Sequence, residues 1–156
     1  MDKYQEINGD LLAMAKQGKF DVIAHGANCK KVMGSGIALQ IKIQFPEVYT
    51  EDKIDARDPI QRWGDYTAFT YEDNEKLLHV FNLYTQYNPG PDLDYTALEL
   101  SLKKLAKIIR PNSKIGLPQV GCGIGGGNWL KVKEIIQRVL SEHDVTIVIY
   151  DPEKGI

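Results

Sequence analysis

The stretch LPQVGCGIGGG at residues 117–127 decides the fold, because an apolar segment runs straight into five glycines among seven residues. The chain has an earlier glycine stretch too, MGSGIA at residues 33–38, between another apolar segment and a predicted helix. In chain order, residues 33–38 are the first glycine stretch and residues 121–127 the second. Glycine lets the backbone adopt positive φ angles and approach a ligand closely. The N–H groups of such loops, added to those of a helix N-terminus, form a cradle for anions. Two cradles in one chain predict a ligand with more than one phosphate or ribose.

The segments around the two glycine stretches alternate between strands and helices. Apolar runs bounded by turn residues predict strands at residues 4–7, 20–25, 65–71, 76–84, 114–120 and 145–150, the third and fourth forming a hairpin. Helices are predicted at residues 11–16, 35–45, 95–109 and 129–140, and Pro46 is expected to interrupt the second of them. This order of elements predicts an α/β protein, a three-layer α/β/α sandwich with a mixed, mostly parallel central sheet.

Length and composition predict one globular domain over residues 1–156. Hydrophobic residues make up 43% of the chain and the formal net charge is −2, without the basic stripe of many nucleic-acid binders. Two isolated cysteines and the absence of any histidine or carboxylate cluster predict neither a metal nor a cofactor. The polar start MDKYQEINGD and the lack of an apolar run near the roughly 20 residues of a membrane span predict a cytoplasmic monomer without a membrane partner.

The second glycine stretch also matches the dinucleotide-binding pattern GxGxxG through Gly121, Gly123 and Gly126. Asp151, after the next predicted strand, would then be the candidate for the ribose-binding acid. A Rossmann unit needs further strands after this pattern, and only residues 152–156 follow. We therefore expect phosphate binding without a Rossmann fold.

Four motifs in this order resemble the macro domain family: NGDL at residues 8–11, AN at residues 27–28, MGSGIA and LPQVGCGIGGG. The resemblance extends over about residues 4–150. HGANC at residues 25–29, FPEVY at 45–49 and NLYTQ at 82–86 further resemble the branch of ADP-ribose-1″-phosphate phosphatases. The chain is also similar to the branch that removes ADP-ribose from protein glutamates.

The resemblance implies a cavity for ADP-ribose or ADP-ribose 1″-phosphate. Asp10 would accept a hydrogen bond from the adenine amino group, or cap the helix that follows it, or both. Asn28 would meet the distal ribose, and Tyr150 would lie against adenine, unless it packs in the core. The residues expected to bind the ligand are Gly9, Asp10, Leu11, Asn28, Met33, Gly34, Ser35, Gly36, Ile37, Gly121, Cys122, Gly123, Ile124, Gly125, Gly126 and Tyr150.

Catalysis, if the resemblance extends to it, is expected at the distal ribose, with His25 and Asn28 as the candidate residues. His25 leads from a buried strand into the first glycine stretch, and an imidazole can exchange protons near neutral pH. The alternative for His25 is a structural histidine at a strand end. His79 and His143 are expected to be structural.

Departures from the resembled enzymes keep several functions open. The lysine of the glutamate-specific hydrolases falls at or near Gln86, their loop aspartate falls at Gly125, and Asn128 replaces an aspartate that phosphatase-like relatives often carry. The lead prediction is a phosphatase acting on ADP-ribose 1″-phosphate. The alternatives are hydrolysis of an ADP-ribosyl bond on a protein or nucleic acid, and a non-enzymatic reader of ADP-ribose.

Overall fold

The computed structural model describes residues 3–150, which build a six-stranded sheet with helices on both faces. The strands are β1 (Tyr4–Gly9), β2 (Val22–Asn28), β3 (Tyr66–Asp73), β4 (Lys76–Gln86), β5 (Lys114–Leu117) and β6 (Asp144–Tyr150). The helices are α1 (Leu11–Lys16), α2 (Gly36–Gln44), α3 (Pro46–Ile54), α4 (Pro59–Arg62), α5 (Tyr95–Ile108) and α6 (Trp129–Val139). The predicted three-layer α/β/α sandwich is confirmed.

The strand order is β1-β6-β5-β2-β4-β3, and β3 runs antiparallel to β4 while the other neighbouring strands run parallel. Parallel strands end at the same edge of a sheet, so β1, β2, β4, β5 and β6 all end at one edge. That edge receives both glycine stretches. Asp151, the acid considered for a Rossmann fold, lies outside the described residues.

Side chains alternate between the two faces of the sheet and thereby divide the core in two. Along β2, Val22 and Ala24 face α5 and α6, whereas Ile23 faces α1, α2 and α3. Each helix contributes one apolar stripe, such as Leu98, Leu102 and Leu105 of α5, which are fully buried. Within residues 3–150, no helix has the length and apolar character that crossing a membrane requires.

Two proline-led helices differ from the sequence prediction. Pro46 does follow the last residues of α2, but it also begins α3, and Pro59 begins α4. A proline at the first helical position loses no hydrogen bond, because the N–H group it lacks would have no partner inside the helix. The prolines therefore start new helices in a region for which the sequence predicted no regular structure.

A buried ion pair fixes these two helices against the sheet. Arg62 of α4 is fully buried, donates to the carboxylate of Asp52 in α3 and also reaches Asp55 at 3.0 Å. Its guanidinium stacks on the ring of Tyr84 in β4, 4.1 Å from the ring centre, and the Tyr84 hydroxyl donates to Asp52 Oδ1 at 2.7 Å. Burial raises the pKa of the Tyr84 hydroxyl, and the neighbouring Asp52 charge adds to this, so the phenol stays protonated.

Candidate functional site

A cavity of about 840 Å³ lies at the edge of the sheet where the parallel strands end. Its walls come from the ends of β1, β2, β4 and β6 and from both glycine stretches. This volume suits a nucleotide-sized ligand. Thirteen of the predicted ligand-binding residues line it: Gly9, Asp10, Leu11, Asn28, Gly34, Ser35, Gly36, Ile37, Gly121, Gly123, Ile124, Gly125 and Tyr150.

The cavity carries little formal charge. Among its lining residues, all of which lie within the described part of the chain, Asp10 is the one with a charged side chain. Anionic groups of a ligand therefore depend on backbone N–H groups rather than on lysine or arginine. The rest of the described wall is apolar or carries neutral amide and hydroxyl side chains.

Asp10 serves both the helix that follows it and the cavity. It has an extended backbone before α1, and its Oδ1 accepts a hydrogen bond from Ala13 N at 3.1 Å. This is the geometry of a helix N-cap. The same side chain lines the cavity, which leaves Oδ2 free of the cap. Tyr150 lines the cavity near Asp10 and is 66% exposed, so core packing does not account for it.

The first glycine stretch leaves the start of α2 free to bind. Ser35 occupies the N-cap position, but its side chain makes no capping hydrogen bond. Gly36 begins the helix with φ at 58°, a conformation in which a Cβ would cause strain. The first N–H groups of a helix lack partners inside it, and here the cavity wall contains them.

The second glycine stretch is held by its own backbone. Gly127 N donates to Gly121 O at 2.8 Å, and Gly126 N donates to Gly123 O at 3.1 Å. A Cβ at Gly125 would stand 2.6 Å from Gly121 O, so no side chain fits there without a backbone shift. The structure thus accounts for glycine at the position where resembled hydrolases carry an aspartate.

His25 differs from its prediction and does not line the cavity. Its side chain is fully buried, and its Nε2 lies 2.6 Å from Asn82 Oδ1. Because Asn82 Nδ2 donates to Val48 O and Thr67 Oγ1, the Oδ1 atom is the acceptor and His25 carries its proton on Nε2. Burial lowers the pKa of His25, although Asn82 and the charge of Asp52 oppose this. His25 is thus a neutral, buried histidine that does not line the cavity. This position corrects the prediction that it is a catalytic group.

Three other predicted residues also lie away from the cavity. Met33 is buried in the core beside α2, Cys122 directs its thiol to Val120 O at 3.4 Å, and Gly126 faces Pro91. Burial raises the pKa of the Cys122 thiol and raises that of Cys29 to about 11, so neither is a thiolate near neutral pH.

Asn28 shapes the loop that leads to the first glycine stretch. Its Oδ1 accepts hydrogen bonds from Lys30 N at 3.0 Å and Val32 N at 3.3 Å, and its Nδ2 donates to Val32 O at 2.8 Å. One amide N–H remains for a ligand. Asn28 therefore fixes the loop while it lines the cavity.

Sequence reasoning missed several lining residues, among which Gln86 is the most informative. Gln86 ends β4, lies beside Asn28 in the sheet register and lines the cavity. Asn128, in contrast, caps α6 by accepting hydrogen bonds from Leu130 N and Lys131 N, and it does not line the cavity. The cap of α6 thus explains why an asparagine stands before Trp129.

Comparisons with known proteins agree with this geometry, although no family model matches the chain. The chain is 38% identical to an uncharacterized 17.5 kDa protein from the tk-vs intergenic region of Enterobacteria phage T4, over 94% of this chain and 96% of that protein. It is 30% identical to a DNA ADP-ribosyl glycohydrolase of Mycobacterium tuberculosis, over 95% of this chain but only 42% of that protein. The solved macrodomain of Mycobacterium tuberculosis DarG matches with a TM-score of 0.72 at 25% identity, over 96% of this chain and 97% of that one.

The chain therefore belongs to the macro domain family, a family of ADP-ribose binders and hydrolases. This conclusion rests on the fold, on the cavity between the two glycine stretches and on the relatives together.

Proposed function

We propose that the cavity binds ADP-ribose and that the protein hydrolyses an ADP-ribosyl bond on DNA, with ADP-ribose as the product. The observation that carries this proposal is the pair of backbone cradles in one cavity whose only charged lining side chain is Asp10. Such a site suits a ligand with a diphosphate in its middle, adenine at one end and a ribose at the other. The mycobacterial relative that is a DNA ADP-ribosyl glycohydrolase supports the choice of bond.

Each end of the ligand has a proposed set of contacts. Asp10 Oδ2 accepts a hydrogen bond from the adenine amino group, and Tyr150 lies against the ring. The diphosphate lies along residues 121–125, while the distal ribose meets Asn28 and the start of α2. Gly34 and Ser35 at that end are exposed, so a large group attached to the distal ribose can extend into solvent.

A phosphatase acting on ADP-ribose 1″-phosphate is the second candidate. It is supported by the free N–H groups at the start of α2, which can hold a terminal phosphate. Against it stands the lack of any cationic side chain among the described residues of the cavity wall, since a third phosphate would add charge that backbone groups there would have to balance. The placement of His25 also removes the proton donor that the sequence had suggested.

We further propose that the protein is a cytoplasmic monomer.

One experiment separates these functions. The purified protein is incubated, without added metal, with a single-stranded oligodeoxynucleotide that carries one ADP-ribosyl group, and in parallel with ADP-ribose 1″-phosphate. We expect free ADP-ribose from the oligonucleotide and no inorganic phosphate, both followed by phosphorus NMR. Phosphate release alone would favour the phosphatase, and binding without either product would leave a reader of ADP-ribose.

A variant that blocks the cavity provides the control for this experiment. Gly36→Val places a branched side chain at a φ of 58°, directly at the start of α2. Its loss of product formation would assign the reaction to this cavity. Product formation at the natural rate by this variant would instead indicate a contaminating enzyme.

A further inference from the structure

Gln86 carries a hydrogen-bond acceptor that faces the cavity and has no protein partner. Its two amide hydrogens are both used, because Nε2 donates to Asn88 O at 2.7 Å and to Gly90 O at 2.8 Å. These two carbonyls determine which way the amide points, since a reversed amide would set oxygen against oxygen. No described residue donates to Oε1, although the side chain is only 8% exposed.

The neighbouring glycine keeps this acceptor open to a ligand. A Cβ at Gly125 would lie 3.0 Å from Gln86 Oε1 and 2.6 Å from Gly121 O. A side chain at this position would cover the oxygen and collide with the loop. Gly125 and Gln86 both line the cavity, so the space above Oε1 belongs to it.

Register places Gln86 beside Asn28, which has one free amide N–H. Asn28 and Gln86 are paired at the ends of β2 and β4, and Cys29 N donates to Gln86 O at 3.1 Å. An acceptor on the cavity wall that no protein group reaches is open to a donor from a ligand or from water. Since no positive side chain from residues 3–150 lines the cavity, the group that Oε1 receives is a neutral O–H or N–H.

We propose that Gln86 Oε1 accepts a hydrogen bond from the oxygen on C1″ of the distal ribose, the 1″-hydroxyl of bound ADP-ribose. This rests on the proposed function, in which the distal ribose meets Asn28. During hydrolysis the same acceptor holds the water that becomes this hydroxyl. The water oxygen forms a bond to C1″ as the bond from C1″ to the departing base breaks. The base keeps the electron pair and takes a proton from solvent, and the proton lost by the water passes to solvent.

This role makes Gln86 a positioning residue, because an amide oxygen orients water without taking its proton. The site therefore distinguishes ligands by a donor at C1″. ADP-ribose supplies that donor, whereas 1″-deoxy-ADP-ribose, with hydrogen in place of the hydroxyl, does not.

Binding of these two ligands to the full chain, measured by calorimetry, tests the proposal without relying on turnover. The natural protein should prefer ADP-ribose over the 1″-deoxy analogue by roughly three- to tenfold, the range for one neutral hydrogen bond. Methionine has a similar size and no such acceptor. In Gln86→Met, the preference for ADP-ribose should therefore fall to roughly the part that other contacts of the 1″-hydroxyl supply. A general disturbance of the cavity would weaken the binding of both ligands alike and leave the ratio of their dissociation constants unchanged. An unchanged ratio in Gln86→Met therefore overturns the proposal.

Gln86→Leu serves as the second variant and carries the test alone if the methionine variant does not fold. Leucine also lacks the acceptor, so the preference for ADP-ribose should fall as it does in Gln86→Met. A preference equal to that of the natural protein in this variant contradicts the assignment. Failure of the natural protein to release ADP-ribose from DNA would sink the proposed reaction, and the binding ratio would still decide the role of Gln86.

Discussion

At the level of single residues, Asp10 belongs both to the cap of α1 and to the cavity wall, and we propose that each oxygen of its carboxylate has one of these tasks. Oδ1 caps α1 through Ala13 N, and Oδ2 is available to the cavity. The two tasks can be separated because asparagine caps helices as well as aspartate does. Its amide nitrogen, however, is a donor and cannot accept a hydrogen bond from adenine.

We therefore predict that Asp10→Asn retains stability but loses affinity for ADP-ribose. The dissociation constant should rise about tenfold, as expected for a lost buried hydrogen bond. Asp10→Ala should show the same loss of affinity and also lose about 1 kcal/mol of stability with the cap. Calorimetric titration and urea unfolding measure the two effects. Equal affinity in Asp10→Asn would mean that Asp10 acts on the helix alone.

His25 gives a prediction about pH. Its pKa in the folded protein lies below the ordinary value of 6.5, so below that pH the unfolded chain binds more protons. The contribution of His25 to stability is therefore complete above about pH 6.5 and decreases as pH falls, by up to about 1.4 kcal/mol per pH unit. In His25→Gln, which can still donate to Asn82, the stability lost between pH 7 and pH 5.5 should be smaller. Urea midpoints with the same pH dependence in both proteins would contradict this.

At the level of secondary-structure elements, α6 depends on the residue that precedes it. Asn128 Oδ1 accepts hydrogen bonds from Leu130 N and Lys131 N at 3.0 and 3.4 Å. Asn128→Ala should lower the free energy of unfolding by about 1 kcal/mol, and Asn128→Asp should restore it. Neither variant should change affinity for ADP-ribose, because Asn128 does not line the cavity. Weaker binding with unchanged stability in Asn128→Ala would assign this residue to the ligand instead.

Element boundaries also show what the sequence could predict. The helix at residues 11–16 and the two glycine stretches followed from local signals that tertiary packing did not override. Strand alternation could have separated His25 from Asn28, since residues three apart on a strand face opposite sides. The resemblance placed a hydrolase lysine at or near Gln86, but local patterns gave no signal for the glutamine itself, because its proposed role depends on the approach of Gly125 to the end of β4. Contacts between segments far apart in sequence are invisible to local patterns.

For the whole molecule, the buried pair of Arg62 and Asp52 connects two helices to the sheet. Removing one member leaves the other charge buried without its partner, which costs about 3–5 kcal/mol. Arg62→Met should show a loss of this size in urea unfolding. The double variant Arg62→Met with Asp52→Leu should be more stable than Arg62→Met alone, because it leaves no unpaired charge. A double variant that is less stable than the single one would assign the stabilisation to packing rather than to charge.

The parallel pairing of β1 with β6 has a consequence for the order in which the protein becomes able to bind. Gly9 and Tyr150 are neighbours in this pairing, and both line the cavity, at the end where we propose that adenine binds. They stand about as far apart in sequence as any two described residues, so a ribosome must deliver nearly all of the described chain before this wall exists. Closing such a long loop is slow. ADP-ribose in contact with both strands would stabilise their pairing. Competence to bind therefore arrives only after β6 has been synthesised, and ligand retention by a nascent chain would report that the sheet has closed.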